Sequence, residues 1–253
     1  MAVSAINNVG NAYGQIASGK RINSAADDAS GLTISKKLES QTKGLNVGAE
    51  NAQHGKDALN ISDGALGQIN DYLQRIYELS VKAGNSVANG PQELSAMQQE
   101  VDGLMKGIKD VAIGTEYNGL KLLDGNMADM ELATNPNGTG SSIKMANGTL
   151  EALGIDGYDL TGKFDINRIT KAMDMVNESR SRVGAQINGL EYTIGQNNIM
   201  AENMTAGQSR IEDLDMYQAI SDMKKKEVLD SYQIMMQKQQ EEQEKQKLGI
   251  FQF

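Results

Sequence analysis

Cysteine and tryptophan are absent from the 253-residue chain. Without cysteine there are no disulfides and no thiolate metal sites. Proline occurs twice, phenylalanine three times, and aromatic residues make up only 4%. Scarce proline leaves the backbone free to run in long helices. A core with so few rings must be filled by Ala, Val, Ile, Leu and Met, which suits slender helical bundles better than a thick globule. Positive charge is not in surplus either: the formal net charge is −9. That argues against a nucleic-acid partner, which needs a basic surface, and against binding an anionic membrane surface. No run approaches the ~18 continuous apolar residues of a membrane span, so no membrane insertion is expected. The start, MAVSAINNVGNAYG, has neither a basic n-region nor an apolar h-region. Any export is expected to use a route that does not read a cleaved signal.

Residues for chemistry are equally sparse. A zinc peptidase motif needs paired histidines, such as H-E-x-x-H on a helix, and the chain has one histidine, His54. Its setting, AQHGKD, reads as a helix surface. No Ser/His/Asp set can be built around a single histidine in a long helix, and no glycine-rich loop follows a strand to cradle phosphate. Asp27 and Asp28 are too few for a metal site and read as charges favoured at a helix N-terminus. Neither an enzyme nor a cofactor is expected.

What the chain does have is heptad spacing. One seam runs Ile34, Leu38, Gln41, Leu45, Gly48, Ala52, Gly55, Leu59, Ser62, Leu66, Ile69, Leu73, Ile76, Ser80, Ala83. Spacing this regular marks a face that packs against other helices. A helix of that extent would be roughly 75 Å long, and Gly48, Ala52 and Gly55 would let a partner backbone approach closely. Leu94, Met97, Val101, Leu104, Ile108 and Val111 form a second seam. Pro91 fits the first turn of that helix, which returns antiparallel after the loop Gly84 to Pro91. The third seam runs from Ile169 through Met173, Val176, Arg180, Val183, Ile187, Leu190, Ile194, Asn197, Ala201, Met204 and Gln208 to Ile211. At about 100° per residue, Leu79 falls outside the first seam, roughly 40° from Arg75. Both residues are expected on an exposed flank.

Between the second and third helices, Asn118-Gly119, Asp124-Gly125, Asn137-Gly138, Asn147-Gly148 and Asp156-Gly157 mark tight turns. One or two β-hairpins are expected there. Asn137-Gly-Thr139 and Asn147-Gly-Thr149 match the glycosylation pattern but read as turns. Val3, Ile6, Val9, Tyr13 and Ile16 give a short amphipathic helix, and Ile211, Leu214, Tyr217, Ile220, Met223, Val228, Tyr232 and Met235 continue helically near the other end. The two ends are expected to pair. The chain closes with the polar run QKQQEEQEKQK and then LGIFQF.

Four stretches resemble bacterial flagellins, in the family's order: SGKRINSAADDASGLTIS from Ser18, LQRIYELSVKAGN from Leu73, EYNGLKLLDGN from Glu116 and SRIEDLDMYQAISDM from Ser209. The resemblance implies a mainly α fold: an elongated antiparallel helical bundle (D1-like), a small β-hairpin region and paired terminal helices (D0-like). The expected divisions are 1–22 and 209–253 for the terminal helices, 23–114 and 165–208 for the bundle, and 115–164 for the hairpin or variable region. The function it implies is a structural subunit that polymerises with itself into the flagellar filament for motility. Export through the flagellar type III apparatus, an export chaperone, a filament cap and an extracellular location are implied with it. So is recognition by the innate Toll-like receptor for flagellin, at a surface matching Arg75, Leu79 and Glu100. Where the family carries a basic residue one turn beyond Glu100, this chain has Leu104. The linker motif matches Arg21, Asn23, Asp27 and Asp28, and the C-terminal assembly signature matches Arg210, Ile211, Glu212 and Asp213. A minor or specialised relative, such as a hook–filament junction protein, is the alternative. The heptads alone also permit a coiled-coil interaction protein.

Overall fold

The computed structural model describes residues 12–85, 90–127 and 129–250, with side chains as far as Lys245. Expectations for Val3, Ile6 and Val9, for the loop at 86–89 and for the final LGIFQF lie outside the described side chains. Helical residues 12–18 (α1) precede α2 (Ala29–Ala83) and α3 (Pro91–Gly114). Two antiparallel hairpins follow, β1–β2 (Glu116–Tyr117, Leu120–Lys121) and β3–β4 (Asp129–Leu132, Ser141–Lys144), then α4 (Ile166–Glu212) and α5 (Met216–Ile250). The chain divides into two compact units: residues up to Thr42 together with those from Glu202 onward, and Lys43–Ala201.

Local chemistry explains where the elements begin and end. Asp28 caps α2: its carboxylate accepts the Gly31 amide at 2.8 Å, and its carbonyl accepts the first helical N–H, from Leu32. Asp27 does something else. It folds back to accept from the Asn23 and Ser24 amides and the Ser24 hydroxyl, closing the turn before the helix. Pro91 opens α3 after Gly90, whose amide donates to Glu93 at 3.0 Å. Asn118 and Gly119 both have positive φ (50° and 78°), as the two-residue turn of β1–β2 requires.

In the Lys43–Ala201 unit, α2 and α3 run antiparallel, since Arg75 meets Glu100 and Tyr72 lies beside Gly107. The α2 and α4 helices are antiparallel too: Lys56 pairs with Glu191, and Asp63 takes a two-pronged contact from Arg180. That pairing accommodates an arginine on the third seam. From Leu45 to Ala83 every residue of the first seam is buried. Gly48 and Gly55 of this seam receive the β3–β4 hairpin, with Asn197 of α4 also close to Gly48. A Cβ on Gly48 would collide with the Thr134 carbonyl oxygen, and one on Gly44 would stand 2.8 Å from Pro136. Asn197 and Asn51 donate to the carbonyls of Thr134 and Ala133, both at 2.8 Å, and hold the loop there.

Two expectations need correction. Leu79 is 3% exposed and belongs to the central cluster with Leu73, Ile76 and Met97. It extends a second stripe, Ala58, Ala65, Tyr72, Leu79, beside the heptad seam. A helix with several neighbours buries a wider face than the two positions of a coiled-coil seam. One neighbour is the segment after β4, which forms turns instead of a further hairpin. Leu153, Ile155, Tyr158 and Leu160 bury themselves there, and the Tyr158 hydroxyl lies 3.0 Å from Ser80 Oγ, one residue past Leu79. Gln98 accepts the Leu160 amide and donates to the Tyr158 carbonyl, and Arg168 caps the carbonyls of Gly154 and Asp156. The second correction concerns Ile34, which is exposed, while Gly31 and Ser35 turn inward. The reason is polar: Ser35 serves a buried carboxylate.

Candidate functional site

Two groups of sequence-predicted residues come together. The first lies on the flank between α2 and α3. Arg75 Nε donates to Glu100 at 2.7 Å, and its Nη1 donates to Glu78 at 2.9 Å. All three side chains are about half exposed or more. The guanidinium is held above its usual range, first by its hydrogen bond to Glu100 and then by that to Glu78. The contribution to folding is small, because solvent screens exposed pairs. What the arrangement supplies is a fixed display of one cation between two anions. Leu79 does not share this surface. Nothing in its spacing relative to Arg75 signals the turn segment that helps cover this end of α2.

The second group ties the two halves of the terminal unit. Residues 19–21 and 212–214 pair as a short antiparallel bridge. The Arg21 amide donates to the Glu212 carbonyl at 2.7 Å, and the Leu214 amide donates to the Gly19 carbonyl at 3.0 Å. The Arg21 guanidinium reaches the Ile211 carbonyl at 2.5 Å, and Asn23 accepts from Ser18. Glu212 is the hub. Its carboxylate, almost fully buried, accepts from Lys20 Nζ at 2.6 Å, from the Ser35 hydroxyl and from Gln208 at 3.0 Å. Asp213 accepts from Ser209 Oγ at 2.5 Å. Arg210 is exposed on the last turn of α4. Lys20, Ser35 and Gln208 do not stand out in the sequence; only the need of a glutamate at a helix C-terminus for partners could have flagged them.

Beyond this junction, α5 carries exposed apolar side chains. Tyr217, Val228, Tyr232 and Met235 are between 61% and 88% exposed, and they fall within an arc of about 60°. On the side facing α1, Glu227 accepts the Tyr13 hydroxyl at 2.7 Å. Among the described residues no group of three or more metal-ligating side chains gathers, and no helix is long and apolar enough to cross a membrane.

Long heptad helices, a terminal unit built from both ends and exposed apolar side chains on α5 define a helical structural protein. Comparison with known proteins gives the family. The bacterial flagellin N-terminal helical region matches residues 3–128, and the bacterial flagellin C-terminal helical region matches residues 166–248. The flagellin of Bacillus subtilis (strain 168) is 33% identical over 254 residues, spanning 85% of this chain and 83% of that protein. In fold, the chain is similar to the crystal structure of Bacillus cereus flagellin (TM-score 0.52, 24% identity, 58% of this chain and 88% of that one). It is also similar to a putative flagellar hook-associated protein of Vibrio parahaemolyticus (TM-score 0.62, 14% identity, 74% and 100%). The chain belongs to the bacterial flagellin family. It is a structural protein of the flagellar filament and not an enzyme.

Proposed function

We propose that this chain builds the bulk flagellar filament for motility, polymerising with itself after export, unfolded and without a cleaved signal, through the flagellar type III apparatus to the cell exterior. An export chaperone and a filament cap are its partners on the way. The terminal unit forms the inner tube, 1–22 pairing with 209–253, and the segments 23–114 and 165–208 form the surrounding bundle, with 115–164 outward. The observation that carries this reading is the set of exposed apolar side chains on α5, Tyr217, Val228, Tyr232 and Met235, which a neighbouring subunit would cover. Arg21, bonded to the Ile211 and Glu212 carbonyls, and the Leu214 amide, bonded to Gly19, tie the start of that helix to the N-terminal segment, while Asn23, Asp27 and Asp28 shape the linker itself.

The flank Arg75–Glu100 is the surface that a neighbouring subunit covers in the filament and that the Toll-like flagellin receptor reads on the free subunit. Its fixed charge pattern favours a partner of complementary charge. Leu79 contributes from beneath, by supporting the helix on which Arg75 stands. Electron microscopy of the purified full-length chain after salt-induced polymerisation tests the main reading. Filaments of uniform diameter are the expected result. A folded, helical chain that stays monomeric under all salt conditions would overturn the bulk-filament role and favour a specialised subunit that needs another flagellin.

A further inference from the structure

We propose that the Glu212 carboxylate is an acid-released clamp on the chain crossing formed by residues 19–21 and 212–214. The geometry comes first. Glu212 ends α4, where the helix dipole disfavours a negative charge, yet the residue is only 3% exposed. A carboxylate tolerates burial when charge-assisted hydrogen bonds replace water. Here the donors come from three stretches of chain: Lys20 from the linker, Ser35 from α2 and Gln208 from the preceding turn of α4. Every one of them uses the carboxylate as acceptor. An ionised carboxylate only accepts, and its lone pairs suffice for three donors. Once protonated it loses the charge that binds Lys20, which has no lone pair to receive the new hydrogen, and only the Ser35 hydroxyl among its partners can reverse to accept it. The backbone carbonyl of the same residue accepts the Arg21 amide, so loss of the hub loosens the crossing.

The charged groups around the hub all bear on this. The linker brings Lys20 and Arg21, whose guanidinium is engaged by the Ile211 carbonyl. On α2, Lys36 adds positive charge that Glu212 feels, while it pairs with Glu39 at 2.8 Å. The end of α4 contributes Arg210, and Asp213 follows, its carboxylate turned to Ser209. Hydrogen bonds from Lys20, then Ser35, then Gln208 hold Glu212 at about 2, against an ordinary 4.5. Its folded value lies below its unfolded one, so its contribution is complete above pH 4.5 and is lost as pH falls toward 2. Across that window the opening equilibrium of the crossing should rise about tenfold per pH unit.

Hydrogen exchange read by mass spectrometry on the full chain tests this, from about pH 7 to about pH 2.5, with rates corrected for intrinsic exchange. In the wild type, peptides holding residues 19–22 and 212–214 should open about tenfold more per unit below about pH 4.5. Glu212→Gln should open already at neutral pH and show a flat profile in the acid range. A Glu212→Gln variant that keeps the wild-type acid slope, or a wild type that stays flat across the acid range, overturns the proposal. If Glu212→Gln fails to form its helices by circular dichroism, Lys20→Met decides. Removing the leading donor raises the folded value toward 4.5, so opening should be greater at neutral pH and its acid rise should level off at a higher pH; a wild-type neutral baseline with a wild-type span of acid rise overturns the clamp.

Discussion

At the scale of single residues, Arg75 and Leu79 separate two ideas that spacing alone runs together. One helical turn apart, they have different fates: Arg75 stays half exposed in an ion-pair display, and Leu79 is buried at 3% exposure. The periodicity places the seam correctly from Leu45 to Ala83 because each seam residue is repeated every three or four positions. It misses Leu79 because the stripe Ala58, Ala65, Tyr72, Leu79 begins with alanines and changes character along its length. The consequence is measurable. Leu79→Ala should lower the free energy of unfolding by about 2–5 kcal/mol, the cost of a cavity in a packed core. Arg75→Ala should leave the urea midpoint nearly unchanged while weakening receptor capture and filament growth. Equal urea midpoints for wild type and Leu79→Ala would return Leu79 to the surface.

At the scale of elements, the segment between α3 and α4 is the least legible. The Asn-Gly and Asp-Gly pairs give its turns, and two hairpins form where such turns allow. The burial of Tyr158, Leu160 and Ile155 is not readable, because irregular backbone has no period to detect; its order comes from Gln98 and Arg168, whose hydrogen bonds reach far along the chain. The glycines of α2 are readable in kind but not in partner. Gly48 makes room for the Thr134 carbonyl at the tip of a hairpin, where the seam spacing predicts a facing helix. Two helix glycines therefore predict opposite signs. A methyl on Gly103 would meet nothing within 4 Å, so Gly103→Ala should gain about 0.5–1 kcal/mol from helix propensity alone. Gly48→Ala has the same propensity gain but drives a methyl into a backbone oxygen, and should lose about 1–3 kcal/mol. Thermal melts of both variants check the pair, and a stabilised Gly48→Ala would mean that the loop does not dock there.

At the scale of the whole molecule, the family is legible because four motifs stand in order along the chain, and the terminal pairing follows from two of them. The partners of Glu212 are not, because Lys20 and Ser35 lie far from it in sequence and neither is unusual where it stands. Assembly is where the remaining information lies. Monomeric soluble proteins rarely leave several large apolar side chains grouped in water, and α5 leaves Val228, Tyr232 and Met235 exposed along one side, with Tyr217 further along the same side beyond Ser221 and Lys224. These side chains contribute little to the folded monomer, so replacing Tyr217 and Tyr232 together by serine should shift its stability by no more than about 0.5 kcal/mol each. The same double variant should polymerise far less readily, because burial of each ring between subunits is lost. Chymotrypsin gives a second readout: cleavage after Tyr217 and Tyr232 should be fast in the wild-type monomer and suppressed in the polymer. Filaments that form as readily from the double variant, with both sites of the wild-type polymer still cut at the monomer rate, would show that these side chains stay in water and that assembly runs through another face.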